Sequence, residues 1–175
     1  MQTKRYLDSQ YRLKQSFRKL LITTDYNQID ITMIAEAAGM SRKNFYFHFK
    51  SKEDLYNSMM DEKLAALEKK MRPYKAWDSV VTLCRFLYND REFYRAAISI
   101  STLNEIAEML REPVEEIFIY EISGQCLMLT SDMVAFAIWR WIKSSSSEGP
   151  LQFLMALKKN LIELSRISLR RFTPK

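Results

Sequence analysis

Residues 30–55 read DITMIAEAAGMSRKNFYFHFKSKEDL, and their spacing predicts two short helices joined by a tight turn. Asp30 can cap the first helix, because its carboxylate accepts from backbone N–H groups that have no partner inside the helix. Ile31, Ile34 and Ala35 fall on one face at helical spacing, and Ala35 is small enough to let a following helix pack closely. Gly39 suits a helix C-terminus that needs a positive φ. Met40 can plug the corner, and Ser41 can cap the second helix. Phe45 and Phe49, four apart, point inward, which leaves Arg42, Lys43, Asn44, Tyr46, Phe47 and His48 for other faces. A hairpin of helices with a glycine turn is common in helical proteins. Here the small residue, turn glycine, cap serine and basic-aromatic helix follow one another in register. That combination points to a helix-turn-helix whose second helix enters a DNA groove.

The charge distribution agrees. The chain carries a net charge of +6. Residues 1–52 hold ten basic and four acidic side chains, and the remainder holds 17 of each, so the whole excess lies in the N-terminal third. A basic segment beside a neutral one suits a polyanion-facing module on a neutral body.

At 175 residues the chain can bury a sizeable core, in one domain or in a small domain plus a larger one. Three glycines and four prolines argue for long helices with few turns. The longest apolar run, residues 133–139, has seven members, far short of the ~18–20 needed to cross a membrane. The start, MQTKRYLDSQYRLKQ, lacks the apolar centre of a signal peptide. Cys84 and Cys126 have no metal-ligand spacing and suit buried thiols in a reducing cytoplasm.

The chain reads as all-α, with about nine helices. A first helix over about 3–24 presents Leu13, Phe17, Leu20 and Leu21 on one face and ends at Asp25-Tyr26-Asn27. The two short helices follow at about 31–38 and 42–48. Ser51 opens a long helix, with Asp54 placed for a capping-box-like exchange, and Pro73 ends it. Further helices are expected at about 77–89, 91–100, 103–111, 113–128 and 131–145. Ser144–Ser147 reads as a loop, and a final helix starts at Pro150. This organisation implies a DNA-binding domain of three helices over residues 1–50 and a helical domain for effector binding and dimerisation over 51–175.

The last helix has more apolar surface than one contact uses. Leu154, Leu157, Leu161 and Leu164 form one stripe; Leu151, Met155, Ile162 and Leu169 widen it. The preceding helix offers Val134, Ile138, Trp141 and Ile142. A helix apolar on two sides is usually buried on two sides. The expectation is a homodimer through Val134, Ile138, Trp141, Leu154, Leu157, Leu161 and Leu164, four helices meeting at a two-fold axis. Paired helix-turn-helix units then read half-sites about one DNA turn, or a multiple, apart.

Ile34-Ala35, Ala38-Gly39-Met40-Ser41, Phe45-Tyr46-Phe47-His48-Phe49 and Ser51-Lys52-Glu53-x-Leu55 together resemble the TetR family of bacterial transcription regulators, over about residues 6–60. More weakly, Asp90-Arg91-Glu92-Phe93-Tyr94-Arg95 and Trp141-Ile142-Lys143 resemble the C-terminal domains of its dihydroxyacetone-kinase-type members. The resemblance implies a cytoplasmic, sequence-specific regulator of double-stranded DNA, commonly a repressor on a palindromic operator. Arg42, Lys43 and Phe47 would face base edges; Asn44, Tyr46, His48 and Lys52 would hold phosphates. Asp30 departs from the family, which commonly has Thr there. A small-molecule effector in the larger domain would move the helix that follows the reader and shift the population between two dimer geometries. Candidate pocket residues are Trp77, Tyr88, Tyr94, Met109, Phe118, Glu121 and Met133, of types that suit adaptable apolar sites.

Nothing in the chain suggests turnover. It shows no nucleophile–base pattern, no glycine-rich phosphate loop and no cluster of metal ligands, so no cofactor and no enzyme activity are expected. The rival readings are an activator or co-regulator of the same fold, and a nucleoid-type protein that binds DNA without discrimination.

Overall fold

The computed structural model describes residues 2–74, 76–98, 100–118, 124–144 and 149–171. Among them the chain forms nine α-helices and no strand: α1 (Gln2–Thr23), α2 (Ile31–Ala37), α3 (Arg42–His48), α4 (Lys52–Met71), α5 (Ala76–Asn89), α6 (Arg91–Ala97), α7 (Ile100–Phe118), α8 (Gly124–Lys143) and α9 (Pro150–Arg171). The chain packs as two compact units, Met1–Ala66 and Leu67–Lys175. The boundary between these units falls within α4. Leu55, Met59, Met60 and Leu64 of that helix are buried, and the Lys14 ammonium of α1 reaches the Glu62 carboxylate at 2.5 Å.

In the N-terminal unit, α1 supplies Leu13, Phe17 and Leu21 to the core, and α2 and α3 supply Ile34, Ala35, Phe45 and Phe49. Between α1 and α2 the chain makes one 3₁₀ turn, Tyr26–Gln28, capped by Asp25, whose side chain accepts from the Asn27 N–H. Phe17, Ile34, Phe45 and Leu55 are completely buried, so the inward face of the reading helix is fixed by packing.

The C-terminal unit departs from the expected helices in one place. Pro113 was expected to separate helices at 103–111 and 113–128. Instead α7 continues through Pro113 to Phe118, and α8 begins at Gly124 rather than near 131. A proline inside a helix removes one hydrogen bond. That cost is offset by burial: Ile106, Ala107 and Leu110 lie in the core, and Pro113 is itself buried. Ser131, read as a helix start, is a buried residue inside α8.

Trp141 of α8 is the centre of a three-ring stack. Tyr88 of α5 lies at 5.6 Å with an interplanar angle of 8°, and Phe153 of α9 lies at 4.6 Å and 5°. Arg91 of α6 closes the end of α8. Its Nη2 donates to the carbonyls of Trp141 at 2.9 Å and Ser144 at 3.0 Å, and its Nε to that of Ile142 at 3.4 Å. Lys143 of the same helix end donates to the Arg95 carbonyl. The two C-terminal stretches singled out in the sequence, 90–95 and 141–143, thus hold each other.

Cys84 is wholly buried, and desolvation pushes its thiol up to about 12. A thiol without thiolate character is a poor nucleophile. The side chain of Cys126 lies outside the described residues. In a Cys126→Ser variant, a thiol-specific dye at pH 8 should leave Cys84 unmodified until denaturant unfolds the C-terminal unit. Fast labelling of the native protein would contradict the burial.

Candidate nucleic-acid interface

The reading head is built on local hydrogen bonds that the residue types specify. Asp30 Oδ1 accepts from the Met33 N–H at 2.8 Å, closing the start of α2. At its other end, the Met40 N–H bonds the Ala35 carbonyl at 2.8 Å and the Gly39 N–H bonds that of Glu36 at 2.9 Å. This is the Schellman arrangement, which needs a left-handed residue at the corner, and Gly39 supplies it with φ +65°. Ser41 Oγ accepts from the Asn44 N–H at 3.2 Å and starts α3. At the head of α4, Ser51 Oγ accepts from the Asp54 N–H at 3.1 Å, while Asp54 Oδ2 accepts from the Lys50 N–H at 2.8 Å. Half of the exchange expected between Ser51 and Asp54 is thus made; the carboxylate takes its proton donor from Lys50 instead of Ser51.

These turns present α3 with one face in the core and the other in solvent. Phe45 and Phe49 point inward. Arg42, Lys43, Tyr46 and Phe47 are exposed, with Phe47 at 72%, and Asn44 and His48 are half-buried. The six α3 side chains expected at DNA therefore belong to one short helix and are reachable together, apart from the covered parts of Asn44 and His48. The His48 imidazole lies among the rings of Tyr6, Phe47 and Phe49 at 4.5, 5.2 and 6.4 Å. Burial lowers its pKa below the ordinary histidine value.

Lys52 has a second occupation that sequence reasoning missed. Its ammonium donates to the carbonyls of Tyr26 and Ile29, at 2.8 and 2.9 Å, and lies 4.1 Å from the centre of the Tyr26 ring. Two of its three N–H donors thus hold the turn between α1 and α2. The Tyr26 hydroxyl in turn donates to Glu53 at 3.1 Å, and burial with that carboxylate pushes the phenol up to about 12. Arg12 was also missed: its Nη2 donates to the Ala38 carbonyl at 2.6 Å, directly behind the turn. No local motif links Arg12 to Ala38, because the contact depends on how α1 crosses α2.

The C-terminal unit contains a groove of about 560 Å³ lined by Glu68, Met71, Arg72, Tyr74, Ser79, Glu108, Met109, Glu112, Pro113 and Glu116. Of the expected pocket residues whose side chains are described, Met109 alone is found there. Tyr88 belongs to the Trp141 stack, Tyr94 is buried against Phe86 and Phe93, and Trp77 lies under the Lys158 ammonium. Met133 is exposed. Glu121 and the side chain of Phe118 fall outside the described residues. The aromatics were spent on one another: stacked and edge-on ring pairs stabilise a core beyond their buried area.

The side chains expected at a subunit interface are found as follows. Val134, Ile138, Trp141, Leu154 and Leu157 are all less than a tenth exposed within a single chain, so they belong to its own core. The side chains of Leu161 and Leu164 lie outside the described residues. Among the described residues, the large apolar groups that α8 and α9 leave exposed are Met133, Phe136, Leu151 and Met155, at 49–70% exposure.

Among the described residues, no helix is long and apolar enough to cross a membrane, and no group of three or more His, Cys, Asp or Glu side chains could hold a metal ion. A basic head with a capped two-helix turn, carried by an otherwise helical chain, is the build of a helix-turn-helix DNA-binding regulator. Residues 18–59 match the family model for bacterial regulatory proteins of the tetR family. Over those residues the head of the chain is similar to that of the family's members. It is 26% identical over 93 residues to the HTH-type dhaKLM operon transcriptional activator DhaS of Lactococcus lactis subsp. lactis (strain IL1403); the match spans 53% of this chain and 50% of that protein. The chain thus matches about half the length of this curated relative. In fold it is similar to a TetR transcriptional regulator from Streptococcus agalactiae 2603V (TM-score 0.70, 16% identity, 89% of this chain and 94% of the other). It is also similar to the dihydroxyacetone kinase operon activator DhaS (TM-score 0.62, 20% identity, 91% and 97%).

Proposed function

We propose that the protein binds a palindromic DNA site as a homodimer and represses the adjoining gene until a small molecule releases it. The observation that carries the DNA-reading part is the exposed basic-aromatic face of α3, held by Phe45 and Phe49 below and by the Gly39 turn behind. In this reading Arg42 and Lys43 meet base edges, Phe47 touches a thymine methyl, and Asn44, Tyr46 and His48 hold phosphates. The remaining donor of Lys52 adds a further phosphate contact. Dimerisation is supported by Met133, Phe136, Leu151 and Met155, because large side chains on adjacent helices at this exposure favour burial against a partner.

The groove of the C-terminal unit is the proposed effector site. Four glutamates and one arginine line it, so it favours a neutral or cationic guest over an anion. Its apolar lining, Met71, Met109 and Pro113, suits a molecule with a hydrocarbon part. A second reading, activation rather than repression, is favoured by one observation: the curated relative matched over 93 residues is a transcriptional activator.

Selection of bound fragments from random DNA tests the proposal. A two-fold symmetric preferred sequence is expected; equal retention of all fragments would overturn it in favour of indiscriminate binding. Against the selected duplex, Lys52→Ala should weaken every sequence about equally, whereas Arg42→Ala should relax the preference at one base position. Identical behaviour of the two variants would overturn the division into phosphate and base contacts. Transcription from a promoter carrying the selected site, with and without the protein, decides the sign.

A further inference from the structure

Phe47 is the most exposed large apolar side chain of the N-terminal unit. An exposed phenyl group on a surface helix ordinarily samples several rotamers, and ordering it on binding costs affinity. Here its freedom is restricted from outside its own helix. The ring of Tyr6, on α1, meets Phe47 edge-on at 5.8 Å and 75°. The same ring lies 4.5 Å from the His48 imidazole, and Phe47 and His48 meet edge-on at 5.2 Å and 83°. The three rings form a closed triangle. His48 Nδ1 is buried with no hydrogen-bond partner, so ring contacts rather than a hydrogen bond hold the imidazole on this side. Tyr6 itself is 37% exposed.

We propose that Tyr6 is a positioning residue for DNA reading, its ring fixing Phe47 and His48 in the orientations they use on the duplex. The role rests on the reading of α3 as the base-contacting helix. Tyr6 acts through its neighbours: the benefit is order present before binding, so it appears in discrimination between sequences more than in attraction to DNA as such. The tyrosine hydroxyl has no part in it, since both contacts are made by the ring.

The test uses the full chain, the duplex obtained by selection from random DNA, and a random duplex of equal length. The wild-type protein must prefer the selected duplex; equal binding would overturn the reading of α3 and the role of Tyr6 with it. Given that preference, Tyr6→Ala should lower affinity for the selected duplex by about two- to tenfold, the range expected when one ordered side chain is freed, and affect the random duplex less. His48 is the chain's single histidine, so its Cε1–H resonance is unambiguous in an NMR spectrum. It should move in Tyr6→Ala, which removes the neighbouring ring current, and stay in place in Tyr6→Phe. Tyr6→Phe should also keep the wild-type preference. Unchanged discrimination in Tyr6→Ala would overturn the positioning role alone. So would a Tyr6→Phe variant as impaired as Tyr6→Ala, which would assign the effect to a hydroxyl–phosphate contact. Thermal melting of each variant separates these outcomes from unfolding of the head; if Tyr6→Ala melts early, the Tyr6→Phe and Tyr6→Leu pair carries the same comparison.

Discussion

Replacing Trp141 with alanine should destabilise the C-terminal unit by about 3–5 kcal/mol, the range for truncating a buried aromatic side chain. The indole is 4% exposed and stacks with the rings of Tyr88 and Phe153. Its removal opens a gap that neither neighbour fills without leaving its rotamer. The Arg91 guanidinium, 5.8 Å from the centres of both the Tyr88 and Trp141 rings, loses one of its apolar supports. Trp141→Phe should cost much less, because a phenyl ring preserves the stack. Denaturant unfolding followed by circular dichroism measures both variants, with the transition of the C-terminal unit fitted separately from that of the head. A Trp141→Ala protein within about 1 kcal/mol of wild type would show that the stack does not carry this unit. The same experiment separates two roles for Trp141. A residue at a subunit interface would, when truncated, make stability more dependent on protein concentration; a core residue lowers stability equally at all concentrations.

The second large effect is expected at the turn of the head, where two residues far apart in sequence act on one backbone group. Gly39 has φ +65°, and a side chain in that region costs about 1–2 kcal/mol. A Cβ there would also stand 3.1 Å from Arg12 Nη2, so the arginine tip must yield. Arg12 holds the Ala38 carbonyl at 2.6 Å, and a hydrogen bond to a charged group contributes about 1.5–3 kcal/mol. Gly39→Ala and Arg12→Ala should therefore each destabilise the head and weaken DNA binding. Their effects should not add. In the Arg12→Ala background the steric part of Gly39→Ala disappears, which leaves the backbone strain alone. Full additivity in a double-mutant cycle would show that Arg12 does not sense the glycine.

The head was legible because its instructions are local. Asp30, Gly39, Ser41, Ser51 and Asp54 each act within five residues, through side-chain oxygens or a permissive φ. Each makes a bond of the kind its type and position required. The burial of Phe45 and Phe49 followed from helical periodicity alone. What could not be read depends on how helices cross. Arg12 on Ala38, Lys52 on the carbonyls of Tyr26 and Ile29, and Tyr6 against Phe47 and His48 all join positions more than twenty residues apart, with no periodic signal between them. In the C-terminal unit, periodicity showed that α8 and α9 each have two apolar faces but not which face turns inward; only packing against α5 and α7 decides that. Pro113 misled for a related reason, since propensity yields to burial where a helix is held by its neighbours.

The proline also has a mechanical meaning for α7. Without an N–H at residue 113, the Met109 carbonyl receives no donor from the next turn, and helices bend most readily where such a bond is missing. Met109 and Pro113 both line the groove. The groove therefore lies against the most compliant point of its own wall, where a guest pushing on α7 meets the least elastic resistance and the helix can flex without breaking any further hydrogen bond.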